Sequence, residues 1–226
     1  MLRTKKLNME NKTTQRVAII AVGNGGYNLA NAIIDSAIFD NPQLIIVDTD
    51  KDELESKRDG ISDSVTKTVL IEPAIDGKDD VDISGIVPDD VDIVVICSTL
   101  GGKTGTRYAP LIAMDAQFKG KQVYSLCSLP FMFEGVSRVA RARAAAEKLE
   151  IASNIFMIQN NDKLQELNSI TMAEIDCTMI KMFKEVMEGL DFPMRTCALL
   201  QDRFDPITIT FPDLSKEERM EKFDKA

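Results

Sequence analysis

The sequence predicts an α/β fold in which a parallel sheet is covered by helices on both of its faces. Short apolar runs alternate along the chain with stretches of helical periodicity, an order typical of such sheets. The apolar runs lack the in–out alternation of a half-exposed strand, so both sides of each strand are expected to be buried. Each run ends in glycines or polar residues, and ligands of parallel sheets bind beyond the carboxyl ends of the strands.

The first part of the chain has the pattern of a right-handed βαβ unit. A strand at residues 16–22 leads through a glycine turn at residues 23–28 into a helix, and a second strand at residues 44–47 ends on the acidic residues 48–50. This order predicts a Rossmann-like sheet. The dinucleotide fingerprint G-x-G-x-x-G is incomplete, because Asn28 stands at the position of its last glycine.

The same alternation continues to the end of the chain. Further strands are predicted at residues 66–71, 91–96, 122–127, 154–158 and 207–211. Helices are predicted at residues 111–118, at residues 130–149, at residues 172–190, and after Ser215, which forms a capping box with Glu218.

The chain is divided by these patterns into three parts. Residues 1–15 form a polar arm that is expected to be flexible, residues 16–190 form the sheet domain, and residues 191–226 form a short appendage. Residues 76–92 hold seven aspartates and are predicted to be an acidic surface loop. The sheet domain is therefore where a ligand site is expected.

Composition excludes several classes of function. The 226 residues carry a formal net charge of −9, which argues against binding to nucleic acid or to an anionic membrane surface. The chain has no histidine, and its four cysteines are far apart, so no metal-binding or catalytic residue is assigned. No stretch has the length of a membrane span or the apolar run of a secretion signal, so we expect a cytoplasmic protein without membrane insertion.

The segment with the strongest functional signal is residues 97–110, between a buried strand and a helix. A glycine turn at a helix start exposes backbone N–H groups, and the helix dipole adds positive potential, so the turn favours an anion such as phosphate. The candidate phosphate-binding residues in this turn are Gly101, Gly102, Lys103, Thr104, Gly105, Thr106 and Arg107.

Five strand-end loops, taken in order, resemble the nucleotide-binding domain of the tubulin/FtsZ family, and FtsZ more closely than tubulin. Residues 101–107 match the signature G-G-G-T-G-T-G, with Lys103 and Arg107 in place of two glycines. The other matches are residues 22–28 with the glycine-rich first loop, 47–50 with V-N-T-D, 130–135 and Arg138 with P-F-x-F-E-G and its arginine, and 160–164 with P-N-D-R-L.

The resemblance implies that the chain binds GTP or GDP, with Mg²⁺ as a further candidate. It assigns Asn28 and Asn161 to the guanine edge and the pair Glu134 and Arg138 to the ribose and phosphates. In addition to the turn at residues 101–107, it assigns Gly25 and Gly26 to the phosphates. The face that stacks on the base is expected near Phe183 of the last long helix, with Lys184 where the family has an acid.

The sequence also departs from the family pattern. Family members continue into a second domain whose catalytic loop completes the nucleotide site of a neighbouring subunit, and nothing in residues 191–226 resembles that loop. The loop from Asp76 is too short for the family's additional γ-phosphate loop. We therefore expect a truncated homologue with little intrinsic hydrolysis, which acts as a switch or contacts a filament of an FtsZ-like protein or of its own copies.

Three other readings of the sequence remain open. Gly102, Lys103 and Thr104 mimic a Walker A P-loop, although Cys97 stands where its first glycine belongs. The first glycine turn would suit a dinucleotide-binding oxidoreductase. Lys103 and Arg107 could instead fill the phosphate space themselves, which would leave an interaction module that binds no nucleotide.

Overall fold

A computed structural model describes residues 15–60, 65–72, 82–162, 171–189 and 207–226. These residues form one sheet of seven strands: β1 (Val17–Val22), β2 (Gln43–Asp48), β3 (Val65–Leu70), β4 (Ile93–Thr99), β5 (Gln122–Leu129), β6 (Ile155–Asn160) and β7 (Ile207–Thr210). The strand order is β3-β2-β1-β4-β5-β6-β7. β1 to β6 are parallel, and β7 pairs antiparallel with β6.

Six helices and a short 3₁₀ turn connect the strands of the described chain. The helices are α1 (Gly23–Asp35), α2 (Lys51–Gly60), α3 (Thr104–Phe118), α4 (Val136–Ile151), α5 (Met172–Met187) and α6 (Lys216–Lys225), and the 3₁₀ turn is Met132–Glu134. Successive residues of a strand point to opposite faces, so Ile20 of β1 joins one core and Ile19 joins the other. The predicted α/β fold, with helices on both faces of a mostly parallel sheet, is confirmed.

The two cores are built from different helices. On one face α3 and α4 contribute buried residues such as Ile112 and Leu149, and Phe223 of α6 packs against them. On the other face α1 and α5 contribute residues such as Leu29 and Met179. Because both faces are covered, the edge of the sheet at the strand carboxyl ends is where backbone and polar groups of the loops meet solvent.

The structure differs from the predicted elements in three places. α1 begins at Gly23, so the first glycine turn lies within the helix, whereas α3 begins at Thr104, directly after Gly101, Gly102 and Lys103. The strand predicted at residues 207–211 is present as β7, but it runs antiparallel to β6, whereas a parallel sheet was predicted. α2 was not predicted, because most of its own residues are charged and it has almost no apolar face. Of its described side chains, only Leu54 and Lys57 are buried.

The described part of the predicted appendage is tied to the sheet domain. Arg219 of α6 is 3% exposed and donates hydrogen bonds to backbone carbonyls that include those of Ile151, Ser153 and Pro212. Since Ile151 ends α4, the guanidinium connects α6 to the carboxyl end of that helix.

Several predicted features lie outside the described residues. They are the arm at residues 1–14, the start of the acidic loop at residues 76–81, the end of the fifth motif at residues 163–164, and residues 190–206 with Cys197. In the part of the chain that the structure describes, no helix has the length and apolarity needed to cross a membrane.

Candidate functional site

The five predicted loops form one continuous surface at the carboxyl edge of the sheet. An added Cβ at Gly23 would lie 3.5 Å from Thr104 Cβ, and the Thr49 and Thr104 hydroxyls are 2.7 Å apart. The turn before α3 in turn meets Arg138, whose Nε would lie 3.0 Å from a Cβ at Gly101. The backbone N–H of Met132 then donates to Asp162 Oδ1 at 2.6 Å. The five loops are thus linked by direct contacts.

Three of the predicted phosphate-binding glycines lie where the chain packs against itself. A Cβ on Gly25 would lie 2.2 Å from Thr99 Cγ2, and one on Gly26 would lie 2.3 Å from the Cys97 carbonyl oxygen. A Cβ on Gly105 would lie 2.4 Å from the Thr99 carbonyl oxygen. These glycines allow α1 and α3 to approach the end of β4, which is a packing reason for glycine that is independent of a ligand.

The other two glycines, just before α3, differ from these three. Gly101 has a φ of +99°, a conformation that favours glycine, and its N–H donates to Thr106 Oγ1 at 2.7 Å. Gly102 is exposed, and an added Cβ there would meet nothing within 4 Å. The backbone at Gly102 is therefore open to a ligand from solvent.

The helices that start at this edge are unequal in their capping. α1, α3 and α4 have no side-chain cap and no acidic residue in the first turn. In contrast, Asp50 Oδ1 accepts the Asp52 and Glu53 N–H groups at the start of α2, and Thr171 and Glu174 form a capping box on α5. An uncapped helix start leaves N–H groups that can bind an anion.

A buried polar cluster at the end of β2 contacts the first residue of α3. Asp48, at the end of β2, is 3% exposed, and its Oδ1 accepts a hydrogen bond of 3.2 Å from the Thr104 hydroxyl. Its Oδ2 lies 3.1 Å from the Nζ of Lys57, which is 7% exposed. Sequence reasoning missed Lys57 because it missed α2; the signal that could have found this helix is Asp50 as a candidate N-cap with Glu53 three residues later.

Glu134 and Arg138 form the pair that the resemblance assigns to the ribose and phosphates. Arg138 Nη1 lies 3.1 Å from Glu134 Oε2, and Glu134 Oε1 accepts the Phe131 N–H at 2.8 Å. Arg138 also borders Gly101, as described above. The pair is therefore positioned beside the start of α3, with the Arg138 side chain 44% exposed and accessible to a ligand.

At the other end of the site, Asn161 belongs to a polar cluster beyond β6. Asn161 is buried, and its Oδ1 accepts a hydrogen bond of 3.0 Å from Gln159 Nε2. The carboxyl of Asp176, on α5, also interacts with Gln159. Burial raises the pKa of this carboxyl, and the hydrogen bond from Gln159 opposes that rise. Asn28 is exposed on α1. Asp176 is an acid that the sequence analysis did not select.

The expectations for the remaining side chains differ in outcome. Phe183 was expected near a base-stacking face, but it is fully buried between Phe39 and Tyr124, with ring centroids 6.1 and 6.3 Å away. That expectation was wrong, because the apolar stripe of α5 packs on the sheet. Lys184, Lys103 and Arg107 are exposed. The Arg107 guanidinium lies 5.8 Å from the ring centroid of Tyr108.

The two cysteines at the ends of β4 and β5 are not suited to be nucleophiles. Cys97 and Cys127 are both fully buried, and burial raises the pKa of each thiol well above its usual range. A thiol that stays protonated is a poor nucleophile. Both cysteines are therefore small residues of the core.

A hollow of about 680 Å³ lies elsewhere, among residues that include Glu147, Thr210, Phe211 and Lys222. Because β7 runs antiparallel to β6, Thr210 pairs with Phe156 near the amino end of β6. The hollow is thus at the edge of the sheet opposite the five loops, and none of the predicted site residues lines it.

Comparisons with known proteins agree with the motifs and the fold. The family model for the Tubulin/FtsZ family, GTPase domain, matches residues 80–169. The cell division protein FtsZ of Aquifex aeolicus is 29% identical over 208 residues, which cover 88% of this chain and 55% of the relative. The chain therefore spans about half the length of that relative.

Solved structures show the same fold. An empty FtsZ dimer of M. jannaschii matches with a TM-score of 0.60 and 21% identity, over 79% of this chain and 56% of that one. CetZ1 from Haloferax volcanii, solved as a GDP-bound monomer, matches with a TM-score of 0.58 and 18% identity, over 82% of this chain and 64% of that one.

The parallel sheet and its contiguous loops define an α/β protein of the class that binds ligands at the carboxyl edge. The sequence matches, together with the fold, show that the chain is similar to the GTPase domain of the tubulin/FtsZ family, as its motifs predict.

Proposed function

We propose that this chain binds a guanine nucleotide across the five loops, with the phosphates against the first turn of α3. The observation that carries the proposal is that α1, α3 and α4 all begin at this edge without side-chain caps or acids in their first turns. Free N–H groups and the positive ends of three helices favour a polyanion at this edge. The GDP-bound state of CetZ1, which shares the fold, supports the same ligand class.

The guanine base would lie against the cluster beyond β6. Guanine offers N–H donors and a carbonyl acceptor on one edge, which a carboxylate and an amide can read together. Asp176 and Asn161 supply these two groups, and both interact with Gln159. Asp176 therefore takes the place that Lys184 held in the sequence analysis, and Asn28 remains a candidate on α1.

The ribose and phosphates would be held by the pair Glu134 and Arg138. Arg138 is near enough to Gly101 for its guanidinium to reach a phosphate at the turn, while Glu134 holds it in an ion pair of 3.1 Å. A guanidinium binds phosphate strongly because its bonds are charge-assisted and geometrically matched.

We further propose that the 226-residue chain hydrolyses GTP slowly by itself. Phosphoryl transfer needs a group that positions the attacking water. At the end of β2, the carboxylate of Asp48 is paired with Lys57 and is therefore not free for this role. The family resemblance implies that the activating group comes from a neighbouring subunit.

Such a chain would act as a nucleotide-dependent switch toward an FtsZ-like protein or a second copy of itself. Apolar side chains beside the site support a partner contact: Phe133 and Val136 are each 75% exposed, and Met132 is 47% exposed. They lie next to Glu134, so bound nucleotide and partner would share one loop. We therefore propose residues 131–136 as the switch segment.

Thermal melting with GTP, GDP, ATP, NAD or no ligand tests the ligand class. A ligand at about 100 times its dissociation constant stabilises the folded state by roughly 2.7 kcal/mol. For a chain of this size we expect the midpoint to rise by about 5–10 °C with GTP and GDP. A rise with NAD alone would support the oxidoreductase reading, and one with ATP alone would support a P-loop-like site. No rise with any ligand would support the interaction module.

Phosphate release and light scattering, measured over a range of protein concentrations with GTP, test the second part. We expect slow turnover that is independent of concentration. Turnover that rises steeply with concentration, together with scattering, would show that the chain completes its own site between copies and would contradict the proposal.

A further inference from the structure

The helix α6 bridges α3 and α4 at the ends that lie farthest from the candidate nucleotide site. Lys216 Nζ donates a hydrogen bond of 3.3 Å to the carbonyl oxygen of Phe118, the last residue of α3, and lies 5.3 Å from the centroid of its ring. Arg219 donates to the carbonyl oxygens of Ile151, the last residue of α4, and of Ser153 just beyond it, the latter at 2.7 Å. Lys216 and Arg219 thus bind carbonyls at the carboxyl ends of two helices, where the helix dipole favours positive charge.

Side-chain contacts join α6 to the same two helices. Met220 and Phe223 of α6 line a groove of about 320 Å³ together with α3 side chains that include Met114. Lys148 Nζ of α4 lies 5.4 Å from the ring centroid of Phe223, and that ring packs against the core to which both α3 and α4 contribute. α6 therefore contacts both helices through apolar side chains as well as through backbone carbonyls.

The opposite ends of α3 and α4 border the proposed nucleotide site. α3 begins at Thr104, two residues after the open position of Gly102, and α4 begins at Val136, two residues before Arg138, whose side chain borders Gly101. α3 has 15 residues and α4 has 16, so the two helices are about 22–24 Å long. A ligand that contacts both helix starts and a helix that contacts both helix ends require the same relative position of α3 and α4.

We propose that α6 is a detachable clamp whose docking on α3 and α4 is coupled to nucleotide binding. The proposal rests on the proposed nucleotide binding. In the docked state α6 holds the carboxyl ends of α3 and α4 together, so that their amino ends face one ligand. In the undocked state these ends lose their shared partner, and the nucleotide must itself fix the two helix starts. Nucleotide therefore binds the docked state more tightly, and bound nucleotide keeps α6 docked.

α6 is suited to be an element with two states. Of its ten residues only Arg219 is buried, and Phe223 is half-buried, so few contacts hold the helix in place. Segments with few buried contacts open locally at a free energy well below that of global unfolding. The capping box of Ser215 and Glu218 lies within α6 and its N-cap, so detachment does not break it. Undocking would also uncover Met114 on α3, which gives the proposed switch a second output at the edge opposite the nucleotide.

Hydrogen exchange of the full chain, with and without saturating GDP, tests the coupling. A ligand slows only those openings that weaken its binding, so an α6 that opens independently of the nucleotide would exchange at the same rate in both samples. We expect the amides of residues 219–225 to gain at least about fivefold in protection, ~1 kcal/mol, when GDP is bound. An unchanged rate would overturn the inference, whether α6 is protected in both samples or unprotected in both.

Substitutions in α6 test the same coupling from its other end. Arg219→Met removes the donors to the end of α4, so GDP affinity should fall by up to the factor by which GDP protects α6, because coupling free energies are reciprocal. Lys216→Met removes one bond of 3.3 Å and should have a smaller effect in the same direction. Lys225→Met is the matched control, since Lys225 pairs with Glu221 inside α6, and it should leave GDP affinity unchanged. Circular dichroism checks folding; if Arg219→Met does not fold, Lys216→Met and the exchange experiment still decide.

The possible failures are distinguishable. GDP that binds without changing the protection of α6, or an Arg219→Met variant with an unprotected α6 and full GDP affinity, would overturn this inference and leave the proposed function intact. Absence of GDP binding in a titration of the unmodified chain would overturn the proposed function, and the inference with it.

Discussion

The two glycine turns look alike in sequence but differ in what their glycines do. In the first turn, residues 23–28, the Cβ positions of Gly25 and Gly26 are filled by Thr99 and by the carbonyl of Cys97. In the second turn, residues 101–107, the Cβ position of Gly102 is empty to beyond 4 Å. The first turn uses glycine to bring a helix against a strand, and the second leaves backbone open at a helix start.

This difference shows that a glycine motif combines two physical requirements. Where two backbones approach closely, there is no room for a Cβ, whether or not a ligand binds. In an open turn an added Cβ has room, so it can only reduce the access of a ligand to the backbone. Substitutions should therefore separate the two turns: the first should respond in stability, and the second in affinity.

The largest effect is expected for Gly26→Ala. The new Cβ would lie 2.3 Å from the carbonyl oxygen of Cys97 in the central strand β4, and a backbone atom cannot move aside as a side chain can. Overpacking of this kind costs about 3 kcal/mol or more of unfolding free energy. Urea unfolding measures it, with Gly102→Ala as the matched control, for which we expect a change within about 0.5 kcal/mol. Equal costs in the two variants would remove the distinction between the turns.

Gly105→Ala should be an exception within the second turn. Its Cβ would lie 2.4 Å from the Thr99 carbonyl oxygen and 2.5 Å from Ser98 Oγ, so it resembles the glycines of the first turn. We expect a loss of about 2 kcal/mol, because the serine hydroxyl can rotate but the carbonyl cannot. The same urea series checks this value. A cost as small as that of Gly102→Ala would mean that α3 can shift at its first turn.

Gly102→Asp should affect binding without affecting the fold. The exposed position accommodates the side chain, but its negative charge would stand where the phosphates are proposed to lie. We expect GTP and GDP affinity to fall at least about tenfold, ~1.4 kcal/mol. Gly102→Asn has nearly the same shape without the charge, so it should lose much less. Unchanged affinity in the aspartate variant would exclude this turn as the phosphate site.

Much of this comparison could be predicted from the sequence, because its signals are local. Parallel strands buried on both faces are continuous apolar runs, and they located β1, β2 and β4 to β6 as well as the loops at their ends. The capping box of Ser215 and Glu218 likewise predicted α6, where the Glu218 N–H donates to Ser215 Oγ at 3.2 Å. Signals of this kind depend only on neighbours in the sequence.

The rest depends on tertiary contacts that a sequence pattern does not contain. α2 has almost no apolar face, so nothing in its periodicity indicated a helix or the burial of Lys57. Phe183 was wrongly expected near a base because the same stripe of α5 suits a core and a ligand face equally. Asp176 was missed because its relation to Gln159 follows from how α5 crosses the end of β6. The different roles of Gly26 and Gly102 are equally invisible in the motif.

The smallest effect is expected for the two cations that replace glycines in the second turn. Lys103 and Arg107 are exposed at the start of α3, where a third phosphate would bring additional negative charge. Replacing each by glycine should weaken GTP binding by about threefold, ~0.7 kcal/mol, and GDP binding by less, because exposed charges are screened by water and salt. Titrations of GTP, GDP and GMP at low and high salt measure the difference, which should shrink as salt increases. Tighter binding in either variant would instead mean that the cation fills the phosphate space, and the open turn would then be closed by its own side chain.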